Sequence, residues 1–455
     1  MDKTTQLREE KIGKLLLKFF IPAVIGNLVN ALYNIVDRVY IGRGVGDLAL
    51  AGLSITFPIM IVIAGFGMLM GIGGSVLESL NLGKKDKENA DKVLGNTFVL
   101  IIISSIVVSI LCFIIKNPLL KAFGASANTI QYADEYLSII LLGTIVQNLG
   151  FGLNNSIRSE GNANIAMITM IIGAALNIIL DPIFIFVFHM GVKGAAIATV
   201  ISQTANAVWV ISHFRSKKSV LKLKKENLKL DLKIVKGIVA IGMAPFAIQV
   251  AGSAVNILLN KQLIVYSGDS AIGAMGVINS ISMLIIMSII SVTQAAQPII
   301  GYNYGAKLYS RVKKTLKLAV SGAVFIGIVS DVIIQLFPEN IISIFNKEPN
   351  LIAIGSHGIK IFLCMLPIIG YQIIGSNYFQ AIGKAKISML LAMLRQVLVL
   401  IPLLLILPKH LGITGVWIAA PISDTIAFFI TAFMFKKEVK KLDVYELDNA
   451  PCMGA

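Results

Sequence analysis

The chain is written twice. The run Glu160-Gly161-Asn162-Ala163-Asn164 before Ile165-Ala166-Met167 has a counterpart in Ile382-Gly383-Lys384-Ala385-Lys386 before Ile387-Ser388-Met389. Asn81-Leu82-Gly83-Lys84 returns as Asn303-Tyr304-Gly305-Ala306. Gly191-Val192-Lys193-Gly194-Ala195 returns as Gly412-Ile413-Thr414-Gly415-Val416. The offsets (387 − 165, 303 − 81, 412 − 191) are 222, 222 and 221 residues. One unit, close to half of the 455 residues, has been duplicated with few insertions. The fold must accommodate two copies of the same bundle.

Composition says where those bundles live. The chain is 56% hydrophobic and 14% charged, against about 25% charge in soluble domains, and its mean hydropathy is +0.82. A membrane-spanning helix needs about 20 mainly apolar residues. Such stretches are predicted at 15–41, 48–80, 94–116, 130–154, 163–188 and 194–213 in the first copy. The second copy has them at 234–266, 271–301, 315–337, 351–378, 385–407 and 411–436. The expected fold is an all-α integral membrane protein with twelve transmembrane helices in two six-helix lobes. An even number of spans per copy gives both copies one orientation, so pseudo-two-fold symmetry about the membrane normal relates them. The expected domains are an N-lobe (1–213), a basic cytoplasmic linker (214–233), a C-lobe (234–440) and a cytoplasmic tail (441–455). Apolar duplications of this kind point to a transporter with its substrate path between the lobes.

The net charge of +16 is distributed by topology. Lys84, Lys85, Lys87 and Lys92 follow helix 2, and a lysine-rich run from Arg215 to Lys236 follows helix 6. Lys307, Arg311, Lys313, Lys314 and Lys317 follow helix 8, and Lys436, Lys437, Lys440 and Lys441 follow helix 12. Odd-numbered loops hold scattered residues such as Arg43, Lys116 and Lys347. This is the positive-inside pattern, so both termini are expected in the cytoplasm of a multi-pass cell-membrane protein. It argues against nucleic acid as a partner. Cys112, Cys364 and Cys452 show neither a metal-ligand spacing nor a disulfide framework. The charged start from Met1 to Lys14 runs into a long helix without a small-residue cleavage site, so no removable signal peptide is expected.

Carboxylates inside a bilayer are expensive and mark function. Asp37, Asp181 and Asp424 are the clear cases, with Glu78 and Asp331 nearer helix ends. Asp37 ends a stripe on helix 1 formed by Asn27, Asn30, Asn34 and Asp37, whose spacings of three and four define one helix face. Asp181 lies about two turns before the outer end of helix 5, with Asn177 one turn below it. Thr199 reaches the same depth on helix 6, with Gln203 one turn further in. At about 1.5 Å of rise per residue, Asp37, Asn177, Asp181 and Thr199 share one layer in the outer half of the membrane. Two carboxyls, an amide carbonyl and a hydroxyl suit a hard cation, and equally a proton. Asn and Asp can also simply bond helices together, which fits Asn27 and Asn30 equally well. The second copy has Asn260 where the first has Asp37, and Leu400-Ile401-Pro402 around the position of Asp181, so the acidic site belongs to one lobe.

Asn177-Ile178-Ile179-Leu180-Asp181-Pro182, followed by Gly194-Ala195-Ala196-Ile197-Ala198-Thr199, resembles the multidrug and toxic compound extrusion (MATE) family. Asp37 and Arg158-Ser159-Glu160-Gly161-Asn162 add to the likeness, which covers essentially the whole chain. The resemblance implies a secondary antiporter that exports amphipathic, often cationic compounds in exchange for Na+ or H+. It implies cation or proton coupling at Asp37, Asn177, Asp181 and Thr199, with Asn30, Asn34 and Gln203 in support. Some members carry acids on helices 7 and 10; here those helices offer Gln249, Asn256, Asn260, Tyr371 and Gln372 instead.

The other singled-out residues follow from chemistry. Met60 on helix 2 and Met283 and Met287 on helix 8 could adapt to varied ligands, and Tyr33, Phe57 and Phe151 could stack on a cationic one. Core or lipid-facing packing is the alternative for each. Arg395 and Asp424 are expected to pair within the C-lobe. Pro22 and Pro245 match across the copies (245 − 22 = 223) and read either as packing bends or as hinges. Expected partners are small-molecule drugs or organic cations and membrane lipid, with the protein a monomer. No cofactor is expected beyond the coupling ion, and no metal beyond Na+. A lipid-linked precursor flippase is the alternative function, and would want a strongly cationic central cavity. An enzyme is disfavoured by four histidines without a ligand cluster and by the lack of a nucleotide-binding glycine loop.

Overall fold

The computed structural model describes residues 3–345 and 348–448. Lys347, Cys452 and the last part of the expected tail lie outside them. The described residues are helical, with turns and no strand. Among the described residues, ten helices are long and apolar enough to cross a membrane. The first six are α1 (Ile12–Gly44), α2 (Asp47–Gly83), α3 (Lys87–Ala122), α4 (Ile130–Ser159), α5 (Ala163–Val187) and α6 (Gly191–Arg215). After the linker come α7 (Leu232–Tyr266), α8 (Gly273–Gly305) and α9 (Tyr309–Leu336).

The remaining spans are interrupted. α10 is the pair Pro349–Phe362 and Leu366–Ala381, bent by 47°, and counts as an eleventh crossing. Ala385–Glu446 is continuous by length, yet Gly412 inside it has φ 58 and ψ −138. A left-handed glycine ends one helix and starts another, giving α11 (385–411) and α12 (413–446). The count then reaches twelve.

The duplication is visible in the backbone. Lys85 and Lys307, Gly161 and Gly383, Gly191 and Gly412 all have φ between 57° and 97°, and stand 222, 222 and 221 residues apart. Their hydrogen bonds repeat too. Asp86 N–H donates to Asn81 O at 2.9 Å, as Leu308 N–H does to Asn303 O at 2.8 Å. Asn162 N–H donates to Ile157 O at 3.1 Å, as Lys384 N–H does to Phe379 O at 2.8 Å. These are Schellman caps, in which a left-handed residue lets the last carbonyls of a helix find donors. The recurring glycines of the sequence repeat are thus helix stops.

The chain divides into two compact units. One is Ile21–Phe246 with the chain start up to Glu10; the other is Lys11–Phe20 with everything from Ala247. α1 therefore changes unit beside Pro22 and α7 beside Pro245. In the first unit, α4 is the central element, packed by α2, α3 and α6. Its core includes Ile41, Tyr136, Ile140, Ile185 and Ala196. In the second unit, Trp417 of α12 is 1% exposed among Ile278, Ile359 and Leu366.

Candidate functional site

Asp37 on α1 is 8% exposed, Asn177 and Asp181 on α5 are 2% and 0%, and Thr199 on α6 is 7%. Four polar residues are thus withdrawn from solvent at one place. Pro182 follows Asp181 and has no N–H to continue the helical ladder. The chain widens there into a π-turn over Ile183–Val187, a local adjustment frequent at functional sites.

One amide organises the cluster. Asn177 Nδ2 donates to Asp181 Oδ1 at 3.2 Å, one turn along its own helix, and to Thr199 Oγ1 at 3.3 Å across on α6. The carboxyls of Asp37 and Asp181 face each other. Asp37 Oδ1, Asp181 Oδ2 and Asn177 Oδ1 are buried and accept no hydrogen bond. Buried acceptors normally find donors. Three acceptor oxygens lacking one, two of them from carboxyls, match what a hard cation or a proton supplies. The layer expected from helix depth is therefore brought together.

Tyr136 was not singled out from the sequence. It is 4% exposed on α4, and its hydroxyl lies beside Thr199 and near both carboxyls. Tyr33, half-buried on α1, lies near Asp37 and Asp181 as well. Asn30 and Asn34 instead serve each other: Asn34 Nδ2 donates to Asn30 O at 2.7 Å and to Asn30 Oδ1 at 3.1 Å. Gln203 is half-buried, and its Oε1 is buried without a donor.

The residues considered for substrate contact have these surroundings within their own units. Arg38 sits 5.1 Å from the Phe57 ring centroid, so this aromatic face already carries a protein cation. Met60 accepts from Thr56 Oγ1 at 3.8 Å and packs against the core around Tyr136. Phe151 and Met283 are exposed and Met287 is half-buried. In the other unit, Arg395 Nε donates to Asp424 Oδ1, and Ser423 Oγ donates to Arg395 O at 2.8 Å. Asp331 is occupied by Gln335 Nε2 at 3.2 Å.

A second buried acid closes the opposite end of the first unit. Glu160, in the turn between α4 and α5, is fully buried. Its Oε1 meets His213 Nε2 at 2.5 Å and accepts from Asn162 Nδ2 at 2.5 Å. Its Oε2 accepts from Ser219 Oγ (2.7 Å), Val220 N–H (2.8 Å) and Leu221 N–H (3.0 Å). Burial works against its ionisation, but the bonds from His213, Leu221 and Ser219 outweigh it and hold the carboxyl below its ordinary value. The linker is stapled to the bundle through this group. In the sequence, Glu160 contributes to the family likeness without revealing this role. Asp91 and Asn96 add to the staple, accepting from Lys222 N–H and Asp231 N–H, each at 2.8 Å.

The MatE family pattern matches residues 22–183 and 243–406, once in each copy of the repeat. The chain belongs to the MatE family. Among MatE relatives, the multidrug export protein MepA of Staphylococcus haemolyticus (strain JCSC1435) is 27% identical over 426 residues, 94% of each chain. The solved structure of the MATE multidrug transporter DinF-BH is 40% identical. It superposes with a TM-score of 0.89 over 94% of this chain and 96% of that one. A crystal structure of MATE in the bent conformation is 25% identical with a TM-score of 0.92, covering 98% and 99%. As a MatE member with these spans, the chain is a multi-pass membrane transporter.

Proposed function

We propose that this protein is a secondary antiporter that exports amphipathic, often cationic compounds in exchange for inward Na+ or H+. One observation carries the reading. The carboxyls of Asp37 and Asp181 meet in a buried layer with Asn177 and Thr199, and three acceptor oxygens there lack donors. Export of drugs is the activity named for relatives that span nearly the whole chain. An electrochemical gradient needs a site that can be charged or neutralised inside the bilayer, and this cluster is such a site.

The cycle follows from linkage. The coupling ion offsets one of the two facing negative charges and so favours the arrangement of α1, α5 and α6 that holds the carboxyls together. A dye or drug favouring the other arrangement is released when the ion binds, and binds when the ion leaves. The protein works in this reading as a monomer in the cell membrane, with both termini in the cytoplasm. Its substrates are small organic molecules, and no further cofactor takes part.

The test is export of a fluorescent cationic dye from proteoliposomes, with Na+ and pH gradients imposed separately. The expected result is export driven by one gradient in the wild type and abolished in Asp37→Asn and Asp181→Asn. Normal gradient-driven export by both variants would overturn the reading.

A further inference from the structure

Thr199, Gln203, Asn206, Val210 and His213 follow one another on α6 at spacings of four, three, four and three. Such spacings place all five on one helix face. One end of the face is the carboxyl cluster, where Thr199 accepts from Asn177 at 3.3 Å. The other end is the linker staple, where His213 meets Glu160 at 2.5 Å. Between them lie about 21 Å of helix, at about 1.5 Å per residue.

The middle of this face is shaped around a polar side chain. A Cβ on Gly173 of α5 would stand 2.2 Å from Asn206 Nδ2, and one on Gly150 of α4 would stand 3.2 Å from Asn206 Cβ. Glycines on two neighbouring helices thus make room for one amide inside the bundle. Yet Asn206 Oδ1 is buried and accepts no hydrogen bond, and Gln203 Oε1, one turn nearer the carboxyls, is in the same position. With Asn177 Oδ1, three amide oxygens in succession along one track are buried without donors. Buried amide oxygens normally find donors. Oxygens left open in a row match what a small hydrated cation or a proton-carrying water chain brings. Val210, fully buried, is the single apolar step between Asn206 and His213 on this face.

We propose that this face of α6 is the inner half of the coupling-ion route. A small cation passes from Asp37 and Asp181 along Gln203 and Asn206 towards His213 and Glu160, and Val210 closes the passage. The proposal rests on the antiport reading above, and adds where the ion leaves.

The experiment uses the full-length protein in proteoliposomes, with two variants. Gln203→Leu is expected to slow gradient-driven export of the cationic dye about tenfold, because an apolar step raises the barrier for the ion. In detergent, the coupling cation should still shift the dye affinity of Val210→Ser as in the wild type, since the carboxyl cluster is intact. Val210→Ser is expected to dissipate an imposed Na+ or pH gradient several-fold faster than the wild type with no dye present. Wild-type export by Gln203→Leu together with no added leak in Val210→Ser would overturn the route. If Gln203→Leu loses dye binding altogether, the leak of Val210→Ser decides alone. Failure of the antiport reading looks different: neither gradient drives dye export by the wild type, and neither cation changes its dye affinity.

Discussion

His213, in the last turn of α6, holds Glu160 at 2.5 Å in the turn between α4 and α5, and both side chains are buried. Three donors of the linker segment, the Ser219 hydroxyl and the Val220 and Leu221 amides, converge on the same carboxylate. One side chain thus joins two helix ends and the segment that leads to the second copy of the repeat. Removing it strands several buried donors at once. Glu160→Ala is expected to destabilise the protein by about 3 kcal/mol. Thermal unfolding in detergent and trypsin cleavage after the linker lysines both read this out. Wild-type melting with an uncleaved linker would show that the staple is dispensable.

The same carboxyl sets an acid limit. Its folded value is held below the ordinary 4.5, so the unfolded chain binds the proton more readily than the folded one. The stabilisation is therefore complete above about 4.5 and is lost as pH falls through the lower folded value. Peptic nicking of the linker, scored against an unfolded substrate at each pH, is expected to rise across that acid window in the wild type. Glu160→Gln, which cannot ionise, should show no such step.

Arg395 and Asp424 form the matching test in the other unit. Asp424 is 1% exposed and paired with the Arg395 guanidinium. Asp424→Leu alone leaves a mostly buried cation without its partner and should cost about 3 kcal/mol. Arg395→Met with Asp424→Leu removes both charges and is expected to recover most of that loss. If the double variant melts like the wild type but no longer exports dye, the pair serves transport as well as architecture.

The coupling cluster offers a finer prediction. Thr199→Val keeps the side-chain shape but deletes the oxygen that accepts from Asn177. Losing one such bond is worth about 1 kcal/mol. Gradient-driven dye export should accordingly need about fivefold more coupling ion for half-maximal rate, with little change in melting temperature. Tyr136→Phe, which removes the hydroxyl beside Thr199, is expected to shift the same curve less.

What could be read beforehand divides along physical lines. Periodicity on α1 and depth along α5 and α6 placed Asp37, Asn177, Asp181 and Thr199 together, because straight helices in a bilayer turn residue number into height. The repeated glycines marked the duplication in the sequence, and the structure adds that Gly161, Gly383 and Gly412 take positive φ at helix breaks. Tyr136 gave no signal, since a tyrosine among the apolar residues of a central helix looks like core. Glu160 and His213 stand 53 residues apart, and the linker amides that complete their site carry no side-chain signature. Arg38 over Phe57 is a further case: sequence offers the aromatic ring but not the cation that already covers it.

Gly71 of α2 and Gly152 of α4 meet with no side chain between them. A Cβ on Gly71 would stand 2.5 Å from both Gly152 Cα and Gly152 O. The two helices therefore cross backbone to backbone, as small residues allow in membrane bundles. Gly71→Ala must push α2 away from α4, and overpacking of this kind costs about 1–3 kcal/mol. Gly252 of α7 is the control, because a Cβ there meets nothing within 4 Å. Gly252→Ala should leave the melting temperature unchanged or raise it, since alanine favours helix by up to about 1 kcal/mol. Equal melting of the two variants would show that α2 and α4 do not keep this close crossing in solution.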